Sequence, residues 1–186
     1  MDLSGRDRDQ PRGPRRLACV TGRFQPFHND HLELVLHAAR LADHVIVAIT
    51  NPDVRSQQQH PASRHRHLEH SNPFGYRDRA RMVTMALIEA GMTRFDVVPF
   101  PLEAPGVWES YVPLESLQLV RTFSDWELAK AEALRNRGYA VLQLAGSPDT
   151  RISATAIREA MAAGEDGWRS QVPGAVARMI CSEGLA

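Results

Sequence analysis

The chain has 186 residues, 43% of them hydrophobic and 24% charged, which suits one domain with a well-buried core. Its 22 Lys and Arg balance 22 Asp and Glu. This gives no broad electrostatic case for binding nucleic acid or a membrane surface, so any anion site must be local. Cys19 and Cys181 lie near opposite ends without metal-ligand spacing, so neither a disulfide framework nor a cysteine metal centre is indicated. There is no apolar run long enough to span a bilayer and no apolar core of a signal peptide, and the expected location is cytoplasmic.

Residues 1–16 are polar, rich in Arg and Asp and broken by Pro11, Gly13 and Pro14, the pattern of a disordered leader before a single domain over 17–186. Leu17 to Thr21 reads as a buried strand, followed by a tight turn at Gly22 and a short loop carrying His28 and His31. A helix then runs to Leu41, with Leu32, Val35, Leu36 and Ala39 on one side. Residues three apart project from the same face of a helical turn, so both imidazoles aim at one place. A glycine turn between a strand and a helix N-terminus is where open α/β sheets bind phosphate. Gly22, Arg23, Phe24 and Gln25 are therefore expected to line the phosphates of a nucleotide or its acceptor.

His44 to Thr50 is a second strand, apolar enough to be buried on both faces, and completes a right-handed βαβ unit. Asn51 to Ser71 carries His60, His65, His67 and His70, but their spacing fits no zinc pattern and Arg64 and Arg66 would repel a cation. A loop facing phosphate or substrate is expected there rather than a metal centre. Helical spacing through Ala80, Val83, Met85, Leu87 and Ile88 ends at Gly91. A third strand covers Phe95 to Phe100, ending near Pro99, and a proline-interrupted loop from Pro101 to Pro113 carries Trp108 and Tyr111, aromatics that could stack on a planar ring. Leu117 to Thr122 is a fourth strand, and Ser124 and Asp125 are natural caps for the helix that follows to Arg137. Tyr139 to Leu144 is a fifth. Ser153 is placed to cap another helix whose free N–H groups attract phosphate, with Arg158 one turn further in. Pro173 to Cys181 is a last short helix. The pattern predicts a Rossmann-like α/β fold, an open parallel sheet of about five strands with helices on both faces.

Gly22-Arg23-Phe24-Gln25-Pro26-Phe27-His28, followed by His31, resembles the GRFQPxHxGH opening of the nucleotidyltransferase superfamily, especially archaeal-type nicotinamide mononucleotide adenylyltransferases. Arg151 to Arg158 is similar to the ISxTxxR motif that closes that active site, which brings Ile152, Ser153 and Thr155 to the nucleotide. Asn72-Pro73-Phe74 to Arg79 is similar to the family's NPFxYxER run, with Asp78 for glutamate. Asp125-Trp126-Glu127 with Lys130 instead resembles the DWExK run of cytidylyltransferases, which lies near the nucleotide's base and phosphates. A further departure is Asp30, where the family has Gly and where a carboxylate is expected to repel phosphate.

The resemblance implies transfer of a nucleoside monophosphate from a nucleoside triphosphate to a small phosphorylated acceptor, with pyrophosphate released. ATP plus nicotinamide mononucleotide is the first expectation, and CTP with a small phosphate or phosphonate the second. A non-catalytic nucleotide-binding sensor is the alternative of another class. His28, His31 and Arg158 are the expected catalytic residues, with the histidines on the α-phosphate and Arg158 on the β,γ-phosphates. Asn51, Arg79 and Trp108 are placed on the acceptor side, Trp108 holding the nicotinamide end; the equal alternatives are that Arg79 holds the preceding loop through a carboxylate or carbonyl and that Trp108 plugs the edge of the domain. Mg²⁺ is expected to bridge the phosphates with few protein ligands. Related enzymes are often oligomeric, so a homo-oligomer is allowed.

Overall fold

The computed structural model describes residues 15–53 and 71–185. Residues 1–14, most of the expected leader, and His60, His65, His67 and His70 lie outside the described residues. Five strands, β1 (Arg15–Gly22), β2 (Ala42–Thr50), β3 (Phe95–Phe100), β4 (Leu117–Thr122) and β5 (Val141–Ala145), form one sheet in the order β3-β2-β1-β4-β5. All four neighbouring pairs are parallel. The α-helices among the described residues are α1 (Asn29–Leu41), α2 (Tyr76–Glu89), α3 (Asp125–Asn136), α4 (Ala154–Ala162) and α5 (Gly174–Glu183). The first strand thus begins at Arg15, inside the expected leader. No helix among the described residues is long and apolar enough to cross a membrane.

Alternation along the central strands builds two cores, because successive side chains leave opposite faces of a sheet. Ala18 and Val20 of β1 and Val45, Val47 and Ile49 of β2 face one way, against Val35 of α1, Val83 of α2 and Val176 of α5. Cys19, Ile46 and Ala48 face the other way, against Ala131 and Leu134 of α3. This is the two-sided burial that the apolar runs predict. The expected end of β3 at Pro99 moves by one residue to Phe100, because β3 is an edge strand and tolerates a residue without an N–H.

The sheet order fixes where a ligand can sit. The chain moves outward from β1 through β2 to β3, then returns to place β4 on the other side of β1. At such a reversal the connections leave in opposite directions and open a crevice beyond the carboxyl ends of β1 and β4. The motif loop 23–28 leaves β1 at that point. Gly22 is the last residue of β1 rather than a turn, and its lack of a side chain serves close approach: a Cβ there would lie 2.5 Å from the Phe24 ring. Phe24 has a left-handed backbone (φ 54°), uncommon for a bulky residue. Its buried ring packs edge-on against His31, with centroids 4.9 Å apart.

Candidate active site

The crevice at the β1–β4 reversal is a cleft with about 830 Å³ of empty space including its open mouth. Arg23, Arg121, Lys130 and Arg151 line it with both histidines, against the carboxylates of Asp30 and Glu127. The chain as a whole is neutral, but this wall carries more cationic side chains than carboxylates, which would suit a local anion site.

The histidines are held by the start of α1. His28 is the residue before the helix, 6% exposed, and His31 lies in its first turn. Their rings stack with centroids 3.5 Å apart and planes at 25°. The backbone N–H of His28 donates to Nδ1 of His31 at 3.2 Å. A neutral imidazole with an accepting Nδ1 carries its proton on Nε2, so His31 is fixed as an Nε2–H donor. The His31 N–H donates to the His28 carbonyl at 3.0 Å, and Nδ1 of His28 is buried without a hydrogen-bond partner.

Burial, with the Arg151 charge adding to it, pushes His28 down from 6.5 to about 3. Burial first, then His28, Lys130, Arg151 and Arg121, hold His31 well below its ordinary value. Both rings are therefore neutral donors at pH 7. The unfolded chain binds more protons than the folded one between about pH 3 and 6.5, so stability rises with pH across that window. The histidine contribution is fully present above about pH 6.5 and is lost as pH falls, by at most about 1.4 kcal/mol per pH unit for each ring. Urea midpoints at pH 7 and pH 5 test this: the lower-pH midpoint is expected to fall, and less so in a His28→Gln, His31→Gln double variant. Equal midpoints in the wild type would contradict it.

Around this pair the other expected residues take several places. Arg23 and Gln25 line the cleft, but the Gln25 amide is committed to Phe74, donating to its carbonyl at 2.9 Å and accepting from its N–H at 3.0 Å. Gln25 thereby fastens the motif loop to the Asn72-Pro73-Phe74 run. Trp126 and Ile152 also line the cleft, whereas Asp125 is exposed at the start of α3 outside it. Ser153 caps α4, accepting from the Ala156 N–H at 3.3 Å, and Thr155 accepts from Arg158 at 3.2 Å. Arg158 is not among the residues that line the cleft. One guanidinium nitrogen donates to the Gln25 carbonyl at 2.8 Å and the Ala154 carbonyl at 3.0 Å, bracing α4 against the motif loop.

The three residues placed on the acceptor side are not among those lining the cleft. Arg79 is fully buried, and its guanidinium donates to the carbonyls of Arg23, Thr50, Asn51 and Gly75 at 2.9, 2.8, 2.7 and 3.3 Å. Asn51, with a left-handed backbone (φ 52°), serves as one of those acceptors. Trp108 sits in a 3₁₀ helix (Pro105–Ser110) where the sequence suggests an open loop. It is 1% exposed, packs against Phe100 at 5.2 Å, and its indole N–H donates to the Pro101 carbonyl at 3.0 Å.

Arg121, Phe123 and Arg151 line the cleft without any signal in the sequence, whereas Glu127 and Lys130 are reached only through the resemblance of the 125–130 run to cytidylyltransferases. Arg121 lies one residue before the end of β4, which borders the reversal, but strand order is not readable before the pairing is known. Lys130 lies one turn into α3 and reaches back to the Thr21 carbonyl at 3.1 Å. Arg151 stacks over the Phe123 ring at 4.7 Å and approaches Glu127 at 3.9 Å. No group of three or more His, Cys, Asp or Glu able to hold a metal occurs among the described residues.

The chain matches the model of the cytidylyltransferase-like family over residues 19–160. It is 34% identical over 168 residues to a phosphonoformate cytidylyltransferase of Streptomyces viridochromogenes, covering 89% of this chain and 91% of that protein. It is 32% identical over 164 residues to a nicotinamide-nucleotide adenylyltransferase of Picrophilus torridus, covering 88% and 89%. Several other archaeal adenylyltransferases of that name match at similar identity. Its fold is similar to that of a bifunctional NMN adenylyltransferase/ADP ribose pyrophosphatase from Francisella tularensis, with TM-score 0.63 and 14% identity over 92% of this chain and 51% of that one. A structure of such an enzyme complexed with AMP and a manganese ion has TM-score 0.59. A parallel sheet with this reversal, a paired-histidine cleft and likeness over most of the chain to two kinds of nucleotide-transferring enzyme identify the chain as a nucleotidyltransferase of the cytidylyltransferase-like family.

Proposed function

We propose that this enzyme transfers the cytidylyl group of CTP to a small phosphonate or phosphate. The observation that carries the choice of CTP is the cleft wall: Trp126 and Lys130 of the cytidylyltransferase-like run line it, while Trp108, on which nicotinamide recognition rested, is sealed in the core. An oxygen of the acceptor attacks the α-phosphorus, the new O–P bond forms, and the bond to the β-phosphate oxygen breaks to release pyrophosphate. The acceptor oxygen is already anionic at neutral pH, so no general base is needed.

What the reaction requires is alignment and cations where charge accumulates. The neutral His31 Nε2–H and the His28 ring act as donors to the α-phosphate oxygens, held in place before reaction by α1. Arg121, Lys130 and Arg151 balance the charge of the leaving phosphates. A divalent ion such as Mg²⁺ would neutralise further charge on the phosphates. The described residues fit an ion held mostly by substrate, since Glu127 is tied to the Ser124 N–H at 2.9 Å and Asp30 to the Ile152 N–H at 2.8 Å.

A second reading, ATP plus nicotinamide mononucleotide giving NAD, is supported by the Gln25–Phe74 pairing, which joins the two runs that resemble archaeal adenylyltransferases. The two are separated by the nucleotide each needs. Calorimetric titration of the wild type is expected to give at least tenfold tighter binding of CTP than of ATP; the opposite preference would install the second reading.

A further inference from the structure

Between the two histidines stand two residues that both reach out of α1. The Asn29 amide donates to the Ser170 carbonyl at 2.9 Å, and the Asp30 carboxylate accepts from the Ile152 N–H at 2.8 Å. Both partners belong to the segment that carries and follows α4, more than a hundred residues away in sequence. That segment contributes no strand to the sheet, so its position relative to the histidines is not set by strand register. It is set by packing of Ile157 and Met161 and by a few polar ties.

We propose that Asp30 is a positioning residue: its carboxylate fixes the Ile152 amide, and with it the start of α4, at a set distance from the histidine pair. The inference rests on the reading of the cleft as a nucleotide site. A triphosphate held by the histidines at one end and by the α4 side at the other needs that distance constant. The expected repulsion of phosphate by this carboxylate is offset in three ways. The carboxylate is directed at an N–H donor, it lies in the first turn of α1 where the helix end is positive, and Arg121 and Arg151 line the same wall.

Asp30→Ala and Asp30→Gly remove the acceptor, while Asp30→Asn keeps an oxygen in the same place without the charge. In the first two, the Kd and KM for the nucleotide that the wild type binds, CTP or ATP, are expected to rise about tenfold. The same variants should change kcat less than threefold, and Asp30→Asn should stay within threefold of the wild type throughout. Hydrogen exchange at the Ile152 amide, read without nucleotide, should be at least tenfold faster in Asp30→Ala and near the wild-type rate in Asp30→Asn.

Asp30→Ala or Asp30→Gly binding nucleotide as tightly as the wild type overturns the inference. Tighter binding by Asp30→Asn overturns it too, because it would mean that the carboxylate acts by repulsion. A wild type that binds neither nucleotide overturns the reading of the cleft and this inference with it; unchanged Ile152 exchange overturns the inference alone.

Discussion

Replacing Arg79 with alanine is expected to cost at least about 3 kcal/mol of stability, the largest effect of any single substitution outside the apolar core. The guanidinium is fully buried and is shared by three stretches of chain: the Arg23 carbonyl just after β1, those of Thr50 and Asn51 at the end of β2, and Gly75 at the start of α2. Burial lowers its pKa only to about 10, so it is cationic at neutral pH. Alanine would leave a void and remove the guanidinium donors from the buried Thr50 carbonyl and the part-buried Arg23 and Asn51 carbonyls, a stranded buried group costing about 1–3 kcal/mol. Lysine is expected to recover little, because its compact ammonium cannot span acceptors that a planar fork reaches together. Urea unfolding measures this: the midpoint should drop in both variants with little change in slope. A loss below about 1 kcal/mol for Arg79→Ala would contradict the clamp.

His28→Ala is expected to lower kcat by about 10²–10³ while the protein remains folded, by analogy with the loss of one positioned donor to a developing oxyanion. The ring is nearly buried, stacks on His31 at 3.5 Å, and is held neutral, so the proposed role is that of a fixed donor rather than a titrating acid. Steady-state kinetics from pH 6.5 to 8 should accordingly show no limb from either histidine. Activity of His28→Ala within threefold of the wild type would remove the histidine pair from the mechanism. The matching His31→Ala variant should lose at least as much, since it also removes the acceptor of the His28 N–H.

Much of this was legible in the sequence where local pattern and fold coincide. The apolar run His44 to Thr50 could only be a strand covered on both faces, and β2 is one. The loop before α1 announced itself because its histidines sit three apart at a helix start. Arg79 and Trp108 stay ambiguous in the sequence for a shared reason: a long polar or amphipathic side chain at the carboxyl end of a sheet reads equally well as a substrate contact or as a structural tie. Whether it turns outward or seals a layer depends on tertiary partners. For Arg79 these are four carbonyls, and for Trp108 they are Phe100 and Pro101. Asp30 was read by its charge alone. Its partner, the Ile152 N–H, lies 122 residues away, and no spacing rule connects the two. The cations Arg121 and Arg151 escaped because only the order β3-β2-β1-β4-β5 brings the end of β4 beside the end of β1.

The most direct test of the central claim is pyrophosphate release by the wild-type enzyme with CTP or ATP, each with phosphonoformate, with nicotinamide mononucleotide, or with no acceptor. Release with CTP that depends on the phosphonate, and is lost in His28→Ala, is the result this account predicts. Release from ATP only with nicotinamide mononucleotide would keep the histidine mechanism and overturn the choice of substrates. No release under any of these conditions would contradict the assignment of this cleft to cytidylyl transfer onto a small phosphonate.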